Sequence, residues 1–523
     1  MSAAAMHEEP PHGQQPNRWG HCAEIALVFL VFALYAGWPI PEPNEPYYLA
    51  KAKHHWDPSW IDHDFFLDSA DSHWTFYVTV GWLSRWLSLP TMALAGRVVT
   101  WLLLACAWQR LSWALVPRRG AALLSAALLV ALNENFQMAG EWVVGGFEAK
   151  GLAYALVFAA LAELVRGRWN ATWALLGGAV AFHVLVGGWT MVAVAFCWLA
   201  SGAARPRLLS MLPGLALGAI LSLAGLIPAL ALNWGADPDV VRSANAIYSF
   251  ERLPHHLSFF DFPSRFKIRF AFLVLVWGWL SQFFATSPGR LRLRRVVNAS
   301  LAVAGVGIGI SLARDYRPEL AASLLRYYWF RLADAFVPLG VATGATMVAF
   351  QLGNIRPRWR VAAPVMLALI ATWLLEPQLA ARIAPEAPRA DKPGKTANLA
   401  DWRDACDWIA AHTPVEATFL TPRTAQTFKW YAGRSEVATW KDLPQDADSI
   451  VAWRRRLEDL YGTGDSSEPW YDSLAEIDVA RLRRVGEKYG ARFIVCESDP
   501  PLDLPCLYRN STYAVYELGP GTK

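Results

Sequence analysis

Charge is what this chain has least of. Asp, Glu, Lys and Arg make up 18% of its 523 residues, against roughly 25% in soluble domains. The net charge of +4 is too small for the electrostatic footprint of nucleic-acid binding, so no nucleic-acid partner is expected. Cysteine is also scarce: there are six, and no C-x-x-C pair or His-spaced metal pattern, which excludes zinc ribbons and dithiol redox sites. Cys22, Cys106 and Cys197 fall in apolar runs and read as packing residues. Cys496 and Cys506 could close a short disulfide loop if that region lies outside the cytoplasm. G-x-S-x-G, H-E-x-x-H, P-loop and Rossmann glycine patterns are all missing.

What is present is apolar. The chain is 54% hydrophobic with 27 Trp and a mean hydropathy of +0.22. Runs close to the ~20 residues needed to cross a bilayer recur. Eleven spans are expected, near 22–39, 93–116, 119–138, 149–165, 171–186, 188–203, 208–233, 268–286, 296–313, 333–352 and 361–381. The segment 75–90, interrupted by Arg85, reads as an amphipathic helix in the interface, with a span as the alternative. The sequence between Val186 and Trp189 allows a re-entrant hairpin. Arg18 precedes the first run like the n-region of a signal anchor, and Ala33-Leu34-Tyr35-Ala36 is a poor cleavage site, so this helix is expected to be retained.

The basic clusters choose between topologies. Arg18, Arg118/Arg119, Arg166/Arg168, Arg205/Arg207, Arg290–Arg295 and Arg356–Arg360 fall on one side with eleven spans and an interfacial 75–90. Cytoplasmic loops collect such residues. The expected N-terminal tail (1–21) is therefore cytoplasmic. A membrane domain (22–383) then presents loops 40–92, 139–148 and 234–267 outside, in the inner (plasma) membrane. After a Pro/Ala/Lys-rich linker (384–397), residues 398–523 read as a small extracytoplasmic α/β domain. Its expected helices are 401–412, 422–431, 447–460 and 478–489, and its strands 416–421, 491–497 and 512–518.

The loop 40–74 concentrates the chemistry-bearing side chains: seven carboxylates and four histidines interleaved with aromatics. Glu45, directly after the first span, is a candidate general base, because partial burial raises a carboxyl towards working pH; the alternative is a solvated Glu in a Pro-rich turn. Asp62 and Asp64 could bind a divalent cation such as Mg or Mn, since hard cations want clustered carboxylate oxygens, or could be ordinary loop acids. His55, on an amphipathic helix over 46–56, could bind substrate or rest among headgroups. Glu148 and Lys150 open a span, where ionisable groups are costly and functional by default; Glu141 shares their loop. His183, near the outer end of a span, is a headgroup ligand or an interhelical histidine. Arg252, His255, His256, Arg326 and Arg331 put basic groups on the side where the charge bias predicts few. Guanidinium there suits phosphate, or pairs with local acids.

The layout resembles the GT-C superfamily of membrane glycosyltransferases, across roughly residues 22–200. Asn44-Glu45-Pro46-Tyr47-Tyr48 is similar to the acidic, Tyr-rich stretch after that superfamily's first span, with Asn in place of the first acid. His73-Trp74-Thr75-Phe76-Tyr77 through to Arg97 looks like its aromatic helix leading to an Arg. Glu148 falls where a second carboxylate is often found. The Trp-Trp-Asp motif of oligosaccharyltransferases is absent. Residues 398–523 resemble an uncharacterised domain of bacterial multi-pass proteins, on Trp408, Thr413-Pro414, Arg434 and Trp440-Lys441-Asp442, with Arg252-Leu253-Pro254-His255-His256 upstream.

The resemblance implies an all-α polytopic bundle of GT-C-like architecture with a small external α/β domain. It implies transfer of a sugar from a polyprenyl-phosphate donor to an envelope acceptor. Glu45 would deprotonate the acceptor, and Glu148 or Asp62/Asp64 would position substrate or metal. His55, Lys150, His183, Arg252, His255, His256 and Arg331 would bind substrate, the basic ones neutralising the departing lipid phosphate. A non-catalytic membrane scaffold and a transporter are the competing readings.

Overall fold

The computed structural model describes residues 18–383, 398–465 and 467–519. The expected linker 384–397 and most of the expected N-terminal tail lie outside the described residues.

A helix stands at each of the eleven expected span positions, from Arg18–Ala36 to Trp359–Ile383. Seven are long and apolar enough to cross a membrane alone. Their starts follow ordinary capping chemistry. Ser88 accepts from the Thr91 N–H and Ser287 from the Arg290 N–H, each followed by a Pro in the first turn, where a missing N–H is harmless. The chain is a multi-pass membrane protein.

Close packing inside the bundle depends on small residues. Trp169–Phe182 lies against Leu212–Ala231 so tightly that a Cβ on Gly177 would meet the Gly218 backbone. Gly214 and Gly218 face the backbones of Asn170 and Trp173 in the same way. In a membrane, where apolar area drives no association between helices, such approach maximises dispersion contact. Trp169–Phe182 and Val184–Leu199 fold back on each other at His183, with Gly187 against the Val180 backbone.

One end of the bundle gathers the arginine clusters. Arg290 donates to Leu115 O at 3.1 and 2.8 Å, and Arg292 to Leu164 O and Val165 O at 2.7 and 2.8 Å. These guanidinium groups satisfy carbonyls that helix ends leave orphaned. Glu163 collects Arg110, Arg166 and Arg168 beside them. The loops expected outside meet at the opposite end.

Two expectations about elements are corrected. Residues 75–90 do not form one interfacial helix: Trp74–Thr79 ends at Val80, and Gly81–Arg85 continues as a separate 3-10 turn. The expected helix 422–431 shrinks to Phe428–Ala432, because the Pro422–Thr427 stretch is used in turns, with the Arg423 carbonyl accepting from the Trp440 N–H.

The C-terminal domain has five strands: β1 (Thr418–Leu420), β2 (Ser435–Glu436), β3 (Ala491–Glu497), β4 (Cys506–Arg509) and β5 (Tyr513–Glu517). Their order is β2-β1-β3-β5-β4, parallel among β2, β1 and β3 and antiparallel beyond. Helix Leu399–His412 packs Trp402, Cys406 and Ile409 on one face of the sheet. Helices Ala447–Tyr461 and Val479–Tyr489 cover the other. Cys496 and Cys506 are both free; β5 separates their strands, and the disulfide left open by the sequence does not join them.

This domain is not a separate outrigger. The core under Ala447–Tyr461 runs on without a break into Ala244, Ile247, Tyr248, Leu257 and Leu325 of the membrane domain's loops.

Candidate functional site

Glu45 opens the helix Glu45–Trp56 and is 1% exposed. Its carboxylate takes the Arg97 guanidinium in a bidentate pair, 2.6 and 2.7 Å from Nε and Nη2. It also accepts the N–H of Phe147 at 2.9 Å and of Glu42 at 2.8 Å. Arg97 in turn donates to Trp38 O at 2.5 Å. Four donors on two oxygens leave this carboxylate little capacity for an acceptor proton. Its geometry ties the end of the first helix, the second span and the loop at 147 together. Glu45, expected as the general base, does not line the cavity described next.

Beside that clamp lies a cavity of about 500 Å³ at the loop end of the bundle. Its floor is the loop 139–150. Asp334 accepts the N–H groups of Met138 and Ala139, both at 2.7 Å, and Asn133 donates to Glu141 O at 2.9 Å. This fixes the backbone so that Glu141 reaches Arg331 Nε at 2.9 Å and accepts from Tyr154 OH at 3.0 Å. Lys150 lies between the two acids of the loop, 3.7 Å from Glu141 and 3.4 Å from Glu148. Its ammonium stands 3.8 Å over the Trp142 ring. Among the described residues the Glu148 carboxylate accepts one hydrogen bond, from Asn44 Nδ2 at 2.8 Å.

The Asn44 amide is itself oriented from across the cavity. Lys441, on the C-terminal domain, donates to its Oδ1 at 2.9 Å. Tyr47 OH reaches Leu443 O at 3.1 Å, so the segment 440–445 forms the cavity's outer wall.

One flank is aromatic and histidine-lined. Tyr48 OH and His73 Nε2 share a hydrogen bond at 3.2 Å, and the His73 and His183 rings are 5.3 Å apart. Arg331 Nη1 lies 3.3 Å from His183 Nε2. Burial, helped by the Arg331 charge, pushes the His73 imidazolium down to about 4. His256 donates from Nδ1 to Ala139 O at 2.6 Å, and burial beside His255 lowers it to about 3. Both imidazoles are neutral near pH 7 and act as hydrogen-bonding groups, not charges. Val184, Leu185, Ala229 and Leu232 make an apolar margin next to His183.

Of the expected site residues, Glu148, Lys150, His183, Arg252, His256 and Arg331 converge on this one cavity. The others do not. His55 pairs with Asp71 at 2.7 Å outside it, and exposed His255 sits tilted against His256, ring centres 4.2 Å apart, without lining the cavity. Asp62 and Asp64, expected as a joint metal site, lie in different surroundings. Asp62 is exposed against His63, whereas Asp64 is fully buried. Asp64 accepts the N–H groups of Phe66, Leu67 and Glu436. No group of three potential ligands suits a metal among the described residues. Asn44, Tyr48, His73, Lys441 and Gln445 also line the cavity and were not among the expected site residues. All but Gln445 entered the sequence reading only as parts of the motifs that carry the family resemblances.

Residues 400–460 match a family model described as a domain of unknown function (DUF6798). No curated protein matches the chain. Similar solved structures include ArnT from Cupriavidus metallidurans bound to undecaprenyl phosphate. It is 15% identical, with 96% of this chain and 97% of that one covered and a TM-score of 0.49. The archaeal oligosaccharyltransferase AglB from Archaeoglobus fulgidus, in complex with an inhibitory peptide and a dolichol-phosphate, is also 15% identical. The alignment covers 91% of this chain and 69% of that one, with a TM-score of 0.46.

Proposed function

We propose that this chain is a membrane glycosyltransferase of GT-C type. It transfers a sugar from a polyprenyl-phosphate donor to an envelope acceptor on the outer face, with the N-terminus cytoplasmic and the C-terminal domain outside. The observation that carries this reading is the cavity's charge. Lys150, Arg252, Arg326, Arg331 and Lys441 face it against only two carboxylates, Glu141 and Glu148, beside an apolar margin at the ends of two bundle helices. Buried ionisable groups are costly unless they are paired or serve a ligand. A phosphate carrying a long hydrocarbon chain satisfies both halves of the lining.

The acceptor hydroxyl attacks the anomeric carbon as the bond from that carbon to the phosphate oxygen breaks, its electron pair leaving with the lipid phosphate. Glu148 takes the acceptor proton. It is better suited than Glu45 or Glu141, which are engaged by four donors and by Arg331 and Tyr154. Arg331 and Lys150 face the growing charge on the leaving phosphate, a pre-oriented electrostatic contribution. A divalent cation would want the space between Glu141 and Glu148, which the Lys150 ammonium bridges.

The test is transfer from radiolabelled polyprenyl-phosphate sugars by the purified chain and its Glu148→Gln variant. The expected loss is ~10²–10⁴-fold in turnover with donor binding retained. Full activity in the variant would remove Glu148 as the base. No transfer or binding with any polyprenyl-phosphate sugar would return the scaffold reading.

A further inference from the structure

We propose that the C-terminal domain and the outer loops build a second anion subsite in this cavity, formed by Arg252, Arg326 and Lys441 and distinct from the Arg331–Lys150 end. The inference deepens the glycosyltransferase reading and rests on it for the name of the ligand, though not for the existence of the subsite.

The two cation groups are separated by a pair of tyrosines. The Arg331 guanidinium stands 3.9 Å from the Tyr328 ring centre, and that of Arg326 is 4.8 Å from Tyr248. The two hydroxyls meet at 3.1 Å between them. Arg331 and Lys150 are neutralised by Glu141 and Glu148. Arg252 and Arg326 form no ion pair among the described residues. Arg252 is 9% exposed; its Nε donates to the Trp440 carbonyl at 2.9 Å, and its guanidinium lies 5.2 Å from that ring. Arg326 donates to Asn245 Oδ1 at 2.8 Å and to Gln445 O at 3.1 Å. These are neutral acceptors.

The local acids are turned elsewhere. Asp442, beside Lys441, points away to Lys429 at 2.7 Å. Asp446 caps its own helix through Ser449 N–H at 2.9 Å. A segment that spends both of its carboxylates outside the cavity while sending Lys441 into it is arranged for an incoming anion. Desolvated guanidinium without a counter-charge is costly, and its forked donors match a phosphate. The ligand is therefore a second phosphate-type group. It comes either from a diphosphate in the donor or from an anionic group on the acceptor.

The experiment is calorimetric titration of the full chain in nanodiscs with sodium pyrophosphate, undecaprenyl phosphate and undecaprenyl diphosphate, using Arg326→Gln, Arg252→Gln and Arg331→Gln, with Arg326→Lys and size-exclusion profiles as folding controls. The proposal expects pyrophosphate affinity to fall at least tenfold in Arg326→Gln, to recover partly in Arg326→Lys and to fall less in Arg331→Gln than in Arg326→Gln. If the diphosphate lipid binds at least tenfold tighter than the monophosphate, and Arg326→Gln removes the difference, the donor supplies the anion. If both lipids bind alike and pyrophosphate binds alongside them, the acceptor does. Pyrophosphate binding that is absent, or unchanged in Arg326→Gln, overturns the subsite. Pyrophosphate binding with no affinity for either lipid would uphold the subsite and overturn the glycosyltransferase reading.

Discussion

Lys441 and Asn44, separated by 397 positions in the chain, meet at 2.9 Å, and through this contact the C-terminal domain reaches the Glu148 carboxylate. The Asn44 amide can present only one orientation here: its oxygen accepts from Lys441 and its nitrogen donates to Glu148. A side-chain amide fixed at both ends holds the carboxylate in one rotamer. It also keeps the oxygens of Glu148 from rotating fully onto Lys150.

Lys441→Ala is therefore expected to lower kcat about tenfold, beyond any rise in KM from the anion subsite it belongs to, because effects of misplaced geometry fall on the reacting arrangement. Asn44→Leu should cost more, on the order of a hundredfold, since it removes the bond to Glu148 itself. Steady-state kinetics on both variants checks this. A loss confined to donor KM would show that Lys441 binds substrate without positioning Glu148.

Glu45 and Glu148 should separate stability from chemistry. Glu45→Gln breaks a buried bidentate pair and leaves Arg97, 2% exposed, without its counter-charge, a change that costs about 3–5 kcal/mol. The thermal midpoint should drop sharply, while the folded fraction still turns over. Glu148→Gln should leave the midpoint nearly unchanged and remove transfer. Paired thermal-shift and transfer measurements on the two variants distinguish them, and the opposite pattern would return the base to Glu45.

How much of this was legible in the sequence divides along physical lines. The span positions were, because roughly twenty apolar residues in a row have few other uses. The convergence of Glu148, Arg252 and Arg331 was legible as charge placed where topology predicts little. The placing of Glu45 against Arg97 and of Glu148 at the cavity was not: each follows or opens an apolar run. The available clue was Arg97, inside a span, which demands a buried carboxylate partner. Lys441 could not be found, since a Lys beside an Asp in a polar loop looks solvated. The helix expected over 75–90 failed because apolar content does not reveal the break at Val80 and Gly81.

Gly140 adopts a φ of +81°, and a Cβ there would fall 2.8–2.9 Å from the His256 ring. Gly140→Ala is expected to cost about 1–3 kcal/mol from backbone strain alone, and to push His256 off the Ala139 carbonyl. Donor binding should weaken along with the thermal midpoint. A variant with wild-type midpoint and binding would show that this turn is not rigid.

The join between the C-terminal domain and the loop 40–74 should make stability depend on pH. Lys429 is buried among three carboxylates: Glu436 at 2.5 Å, Asp442 at 2.7 Å and Asp64, from the loop, at 3.7 Å. One ammonium cannot neutralise three anions. Burial, with Asp442 adding to it and Lys429 opposing, raises the Glu436 carboxyl from 4.5 to about 7. The folded chain then holds a proton that the unfolded chain releases above 4.5. This contribution is complete below pH 4.5 and is lost as pH rises through about 7, by on the order of 3 kcal/mol at ~1.4 kcal/mol per unit. The thermal midpoint should decline between these limits from this group and level off above them. Glu436→Gln, which keeps an acceptor for Thr421 Oγ1, bonded to Glu436 at 2.6 Å, should flatten the decline and raise the midpoint at pH 8. A slope left intact in that variant would assign the proton to another group. Lys429→Met should instead destabilise at every pH, most strongly at pH 8, because it leaves Asp64 and Asp442 buried with no cation between them.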